Sequence, residues 1–208
     1  MHNNTDFISK AQHIRLLILD VDGVLTEGTI MLSSSGEDIK CFSAHDGHGL
    51  NAIQKAGINV AIISGRTSHA VSIRMKELGV SQVYQGQKNK DLAFKELLQH
   101  YNLTAQQVAY IGDDIPDLTV MRQVALPIAV ANAVEELKQF TPWHTENIGG
   151  KGAVREICDL LLLAVSHTQK DYCHDYTLLH TTITSRTTTY QLWYLFAPSQ
   201  QSRQKSHH

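Results

Sequence analysis

Apolar residues fall in short unbroken runs, with stretches of helical periodicity between them. The strongest runs are Leu16-Leu17-Ile18-Leu19, Val60-Ala61-Ile62-Ile63 and Val108-Ala109-Tyr110-Ile111; Val83-Tyr84-Gln85 and Ile128-Ala129-Val130 are weaker. A strand buried on both faces reads as a continuous apolar run, as in a parallel sheet covered by helices. Leu50, Ile53 and Ala56, stopped by Gly57, predict a helix that Asp46 can cap. Val71, Met75 and Leu78 before Gly79 predict another, and Phe94, Leu97, Leu98 and Tyr101 a third. Thr104 and Gln107 have capping-box spacing. Leu118 and Met121 begin a further helix, and residues 134–140 and 153–165 read as two more.

Strand and helix alternate throughout, which implies a parallel sheet with right-handed crossovers. The expected fold class is α/β, a Rossmann-like three-layer sandwich with a mainly parallel sheet. One excursion breaks the alternation. Residues 28–32 and 38–42 are β-prone runs around Ser33-Ser34-Ser35-Gly36-Glu37, which predicts a projecting β-hairpin flap. Residues 1–15 are compatible with a short helix or a tail. From residue 166 the patterning stops, and 166–208 are rich in Thr, Ser, His and Gln. The expected organisation is one domain over 1–165 and a poorly ordered tail over 166–208.

Composition narrows the function classes. At 208 residues the chain suffices for one α/β domain with a full core. A net charge of −2 argues against a general nucleic-acid binder, which needs clustered Lys and Arg. Cys41, Cys158 and Cys173 form no CxxC pattern, so neither a zinc site nor a disulfide framework is expected. Residues 1–15 lack a signal-peptide core, and the apolar runs are too short to span a bilayer. A cytoplasmic protein without a membrane partner is expected.

The chemistry sits where the strands end. The first run ends in Asp20-Val21-Asp22-Gly23, the second in Ser64-Gly65-Arg66, and the fourth in Gly112-Asp113-Asp114-Ile115-Pro116-Asp117; Lys88 and Lys90 lie between the last two. Ligands of open α/β sheets bind at the carboxyl ends of the strands. Asp-x-Asp alone after a strand is more often an Asx-turn or a helix cap than a catalytic pair. If the strand continues, however, residues i and i+2 share a face, and two such carboxylates repel unless a cation or a shared proton intervenes. A hard divalent cation such as Mg2+ suits oxygen ligands of this kind. Each residue type has a role in phosphoryl transfer: a carboxylate nucleophile, a carboxyl to move a proton, and a hydroxyl and an ammonium to hold phosphoryl oxygens.

These four segments, in this order and each after the right element, resemble the four motifs of the haloacid dehalogenase superfamily over residues 16–165. The resemblance implies Asp20 as nucleophile and Asp22 as general acid/base. It implies Mg2+ held by the Asp20 carboxylate, the Asp22 backbone carbonyl and Asp113, and phosphate held by Ser64 and Lys90. Lys90 is preferred to Lys88 because it starts a helix, as the family's lysine does. Gly65 and Arg66 would face the substrate, and Asp114, Asp117 and Asp46 are candidates to support the site from behind. The intervals between motifs leave no room for a large cap domain.

Within the superfamily the chain is similar to capless phosphatases that act on the phosphorylated eight-carbon sugar acid 3-deoxy-D-manno-octulosonate 8-phosphate (KDO 8-phosphate). The shared segments include the hairpin, Asp46-Gly47-x-Gly49, Tyr84-Gln85-Gly86, Tyr110-Ile111-Gly112-Asp113-Asp114 and residues 150–156. That similarity implies a small sugar-acid phosphate substrate, a homotetramer with hairpins packed together, and a role in lipopolysaccharide precursor synthesis. His45 and His48 depart from the Arg and Tyr expected there, and the long tail departs too. A nine-carbon sugar-acid phosphate and a non-catalytic assembly domain are the alternatives. A phosphorylation receiver fits poorly, because its acidic pair and its phosphorylated Asp occupy the opposite strands.

Overall fold

The computed structural model describes residues 4–166, so the expected tail, all but its first residue, lies outside the described residues. Five parallel strands form the sheet: β1 (Leu16–Leu19), β4 (Asn59–Ile63), β5 (Gln82–Tyr84), β6 (Val108–Gly112) and β7 (Leu126–Ala129), in the order β5-β4-β1-β6-β7. β1 is central, with Leu16 opposite Asn59 of β4 on one side and Val108 of β6 on the other. Leu16 to Leu19 and Val108 to Ile111 are wholly buried, as their unbroken apolar character requires.

Helices flank this sheet. α1 (Asn4–Ala11) and α2 (Ala44–Lys55) both pack on α7 (Ala153–Ser166), while α4 (Lys90–Tyr101) packs on α5 (Leu118–Met121). α3 (His69–Glu77) links β4 to β5, and α6 (Glu135–Phe140) follows β7. The α/β class and the alternation are as the sequence implied. Val71, Met75, Phe94 and Leu97 are buried on the faces expected of them.

The chain moves outward from β1 through β4 to β5, then returns to β6 on the other side of β1 and runs on to β7. The order therefore reverses beside β1, which makes the carboxyl ends of β1 and β6 the switch point where ligands bind in such sheets.

Two details differ from expectation. The hairpin is shorter than predicted: only β2 (Met31–Leu32) and β3 (Asp38–Ile39) pair, antiparallel, with Met31 opposite Ile39. Among the described residues no third strand joins this two-stranded sheet. Asp46 does not cap its own helix. Ser43 is the N-cap of α2, its hydroxyl accepting from the Asp46 N–H. The Asp46 carboxylate instead accepts the Arg155 N–H at 2.8 Å and fastens the start of α7 to α2. Asp46 is buried, and burial raises its pKa above the usual carboxylate range.

Candidate active site

An open cleft of about 340 Å3 lies at the switch point. Asp20, Asp22, Ser64, Gly65, Arg66, Lys88, Lys90, Asp113, Asp114 and Asp117 all border it. Strand geometry places the first of these. Asp20 follows β1 directly, and its N–H still donates to the Ile111 carbonyl at 3.1 Å, so the sheet ladder carries it to the rim. Beyond Val21 the chain turns back, with the N–H groups of Val24, Leu25 and Thr26 all directed at the Val21 carbonyl. The Thr26 hydroxyl holds this loop together, donating to the Val21 carbonyl and accepting from Gly23 and Gly28. Gly23 has φ +93°, and a Cβ there would overlap the Asp113 carboxylate. Only glycine satisfies both the backbone and the approach.

Asp117 organises the floor. One oxygen accepts from Lys90 Nζ at 2.6 Å and from the Tyr110 hydroxyl at 2.6 Å. The other accepts the N–H groups of Asp113 and Asp114 at 3.0 and 3.2 Å. Gly112 makes room, since a Cβ there would lie 2.6 Å from Asp117 Oδ2. Lys90, the first residue of α4 and only 4% exposed, also donates to Asp20 Oδ1 at 2.7 Å. It therefore ties the end of β1 to the end of β6. Lys88 borders the same cleft but is exposed.

The electrostatics follow from this crowding. Burial, with Asp117 adding to it, pushes Asp20 up to about 6 despite Lys90. Burial and the carboxylates of Asp20, Asp117 and Asp114 push Asp113 up to about 8. Burial would pull Lys90 down, but Asp20 and Asp117 outweigh it and hold the ammonium above its usual range. Carboxylate oxygens of Asp20, Asp113 and Asp117 lie within 4.8 Å of one another, the donor set of a hard divalent cation. Both oxygens of Asp117 are already engaged, whereas the Asp113 side chain takes no hydrogen bond among the described residues. Asp20 and Asp113 are thus the carboxylates with oxygen left to offer.

Asp22 faces two cations. Lys40 contacts its Oδ1, and Arg66 Nε lies 3.6 Å from its Oδ2. Ser64, buried at the end of β4, accepts the Arg66 N–H at 3.3 Å.

The 3-deoxy-D-manno-octulosonate 8-phosphate phosphatase of Escherichia coli (strain K12) is 48% identical over 161 residues, 77% of this chain and 86% of that protein. The family model of haloacid dehalogenase-like hydrolases matches residues 79–157. This chain belongs to that family. It is a phosphatase of the haloacid dehalogenase type. Among solved structures, the 3-deoxy-D-manno-octulosonate 8-phosphate phosphatase of Yersinia pestis superposes with a TM-score of 0.76 at 46% identity, covering 77% of this chain and 87% of that one. The Moraxella catarrhalis enzyme, solved with magnesium ion, phosphate ion and KDO, gives 0.77 at 41% identity, covering 81% and 97%.

Within this haloacid dehalogenase-type cleft, not every residue named from the sequence is present. Asp46 stands outside it, at the α2–α7 junction, and His45 and His48 are exposed on α2 and do not border it. Asp114 lies at the rim, where its carboxylate accepts the Ile115 N–H at 2.8 Å. Conversely, Tyr110, Lys40, Thr26 and Asn132 had no signal as site residues. Tyr110 read as one more apolar strand position. Asn132 donates to the Gly23 carbonyl and accepts from Gly149, joining two loops far apart in sequence. A second concavity, of about 370 Å3, lies beyond the opposite ends of the strands against Lys10, His13 and Arg15, and no carboxylate among the described residues lines it.

Proposed function

We propose that this phosphatase hydrolyses KDO 8-phosphate with Mg2+, through a phosphoryl group carried on Asp20. The observation that carries the mechanism is the junction of Asp20, Lys90, Asp117 and Asp113, which puts one carboxylate at a strand end beside a buried ammonium and further carboxylates. The substrate rests on the relatives of that name and on the Moraxella catarrhalis complex.

Asp20 attacks phosphorus, the bond from phosphorus to the sugar oxygen breaks, and that oxygen takes a proton from Asp22. Water then attacks the aspartyl phosphate and gives its proton to Asp22. Lys90, Ser64 and the Gly65 turn hold the phosphoryl oxygens, and Arg66 meets the sugar acid or the phosphate. Asp20, Asp113 and the Asp22 carbonyl would hold Mg2+, which supplies charge neutralisation for the phosphoryl group when bound.

The cleft has no large cap over it among the described residues. The hairpin exposes Ile30, Met31, Leu32 and Ile39, an apolar face that suits packing against hairpins of other subunits in a cytoplasmic homotetramer. The product is a free sugar acid, suited to lipopolysaccharide precursor synthesis.

The test is phosphate release with Mg2+ from KDO 8-phosphate, a nine-carbon sugar-acid phosphate and hexose phosphates. Strong preference for the eight-carbon acid is expected, and Asp20→Asn should abolish turnover in a folded protein. Preference for the nine-carbon acid would move the substrate, and full activity of Asp20→Asn would overturn the mechanism.

A further inference from the structure

Lys40 follows β3 at the base of the hairpin, yet its side chain is only 2% exposed. The rest of that hairpin offers little burial, since Met31, Leu32 and Ile39 all face solvent. The ammonium reaches inward. It contacts Asp22 Oδ1 and lies 3.3 Å from Asp38 Oδ2. Arg66 closes the group from the other side, with Nε 3.6 Å from Asp22 Oδ2 and Nη2 4.0 Å from Asp38 Oδ2. Two cations and two carboxylates thus alternate around the mouth of the cleft.

Their exposures differ in a telling way. Arg66 is 44% exposed, with solvent on one side of it, whereas Lys40 is enclosed. Withdrawing an ammonium from water costs several kcal/mol unless partners repay it. Asp38 Oδ2 attracts it as an ion pair at 3.3 Å, but both Asp38 oxygens are buried and neither has a partner of hydrogen-bond geometry. The hydrogen bond that Lys40 does make is to Asp22. Fastening a hairpin requires no contact with that particular carboxylate.

We propose that Lys40 is a positioning residue for the proton-transfer step: it fixes the side-chain orientation of Asp22 and so couples the hairpin to departure of the sugar. The proposal rests on Asp22 as the general acid. In that step the pair of electrons from the breaking phosphorus–oxygen bond goes to the sugar oxygen, which takes the Asp22 proton. An alkoxide leaves poorly and needs that proton; a nitrophenolate leaves well and does not. A phosphoryl-enzyme mechanism makes kcat/KM report only the steps through departure, so later hydrolysis does not mask the difference.

The experiment compares kcat/KM for KDO 8-phosphate and for p-nitrophenyl phosphate in Lys40→Met, with Lys40→Gln as a second variant should the first not fold. Asp22→Asn serves as the reference, and fold is checked by circular dichroism. General acid catalysis contributes about 10²- to 10⁴-fold, so Lys40→Met should lose roughly tenfold or more on the sugar phosphate and less than about threefold on the aryl phosphate. Equal losses on both substrates, with Asp22→Asn still discriminating, overturn the role of Lys40 alone. If Asp22→Asn does not discriminate, the acid assignment fails and this proposal fails with it.

Discussion

Lys90→Met tests whether one buried ammonium holds the site together. The change keeps an unbranched apolar chain of similar length and removes the charge. It deletes the bonds to Asp20 and Asp117 at 2.7 and 2.6 Å and the longer one to Tyr110 at 3.3 Å. Breaking a buried ion pair by removing one partner costs about 3–5 kcal/mol, which for a protein of this size lowers Tm by about 6–20 °C. The loss should depend on pH in a definite direction. In the metal-free protein Asp20 is raised from 3.8 to about 6 and Asp113 from 3.8 to about 8. The folded state therefore binds more protons than the unfolded state across roughly that window, and stability falls as pH rises through it. Lys90 opposes both shifts. Without it the two groups are raised further, so the folded variant holds still more protons and its deficit grows from pH 5 to pH 8. Urea unfolding of both proteins in chelator at pH 5 and pH 8 measures this. A deficit under about 1 kcal/mol, equal at the two pH values, would refute the reasoning.

Two further predictions follow from the same geometry. Binding of Mg2+ must strip the proton from Asp113, so near pH 7 about one proton should be released per ion, and affinity should rise with pH up to about 8. Calorimetry in two buffers of different ionisation enthalpy reads this directly, and a buffer-independent heat would contradict it. Asp46→Ala removes the acceptor of the Arg155 N–H and should cost about 0.5–2 kcal/mol in urea unfolding while kcat stays unchanged, because Asp46 stands outside the cleft; a tenfold fall in kcat would return it to the site.

The difference between Asp46 and Tyr110 shows what one-dimensional pattern can carry. Strand-end chemistry was legible because a parallel sheet forces it: an apolar run fixes the strand, and its carboxyl end fixes where Asp20, Ser64 and Asp113 emerge. Three such ends, with Lys90 at the start of α4, were enough to gather one cleft. Asp46 sits in a similar Asp-Gly context, and helix-start preferences explain it locally, but its partner is 109 residues away on α7. No local rule predicts that partner. Tyr110 failed in the opposite sense. Its ring fills the core, so the apolar pattern was right about burial, yet its hydroxyl reaches out of that core to Asp117 at 2.6 Å. An amphipathic side chain in a buried strand has to satisfy its polar end, and the nearest strand end is where polar groups gather.

Lys40 extends the argument. Its position in a short hairpin reads as a solvated charge, which is what most lysines in such places are. What distinguishes it is the turn that carries residues 28–42 back over the end of β1, and that path depends on loops rather than on periodicity. Residues placed by the sheet were therefore readable from their runs. Residues placed by loops, Lys40 with Asn132 and Thr26, were not, because a loop's direction is set by contacts such as Asn132 to Gly23 and Gly149 that join distant parts of the chain. The orientation of Asp22 belongs to this second group: its strand delivers it to the rim, but a hairpin lysine and Arg66 decide where its carboxylate points.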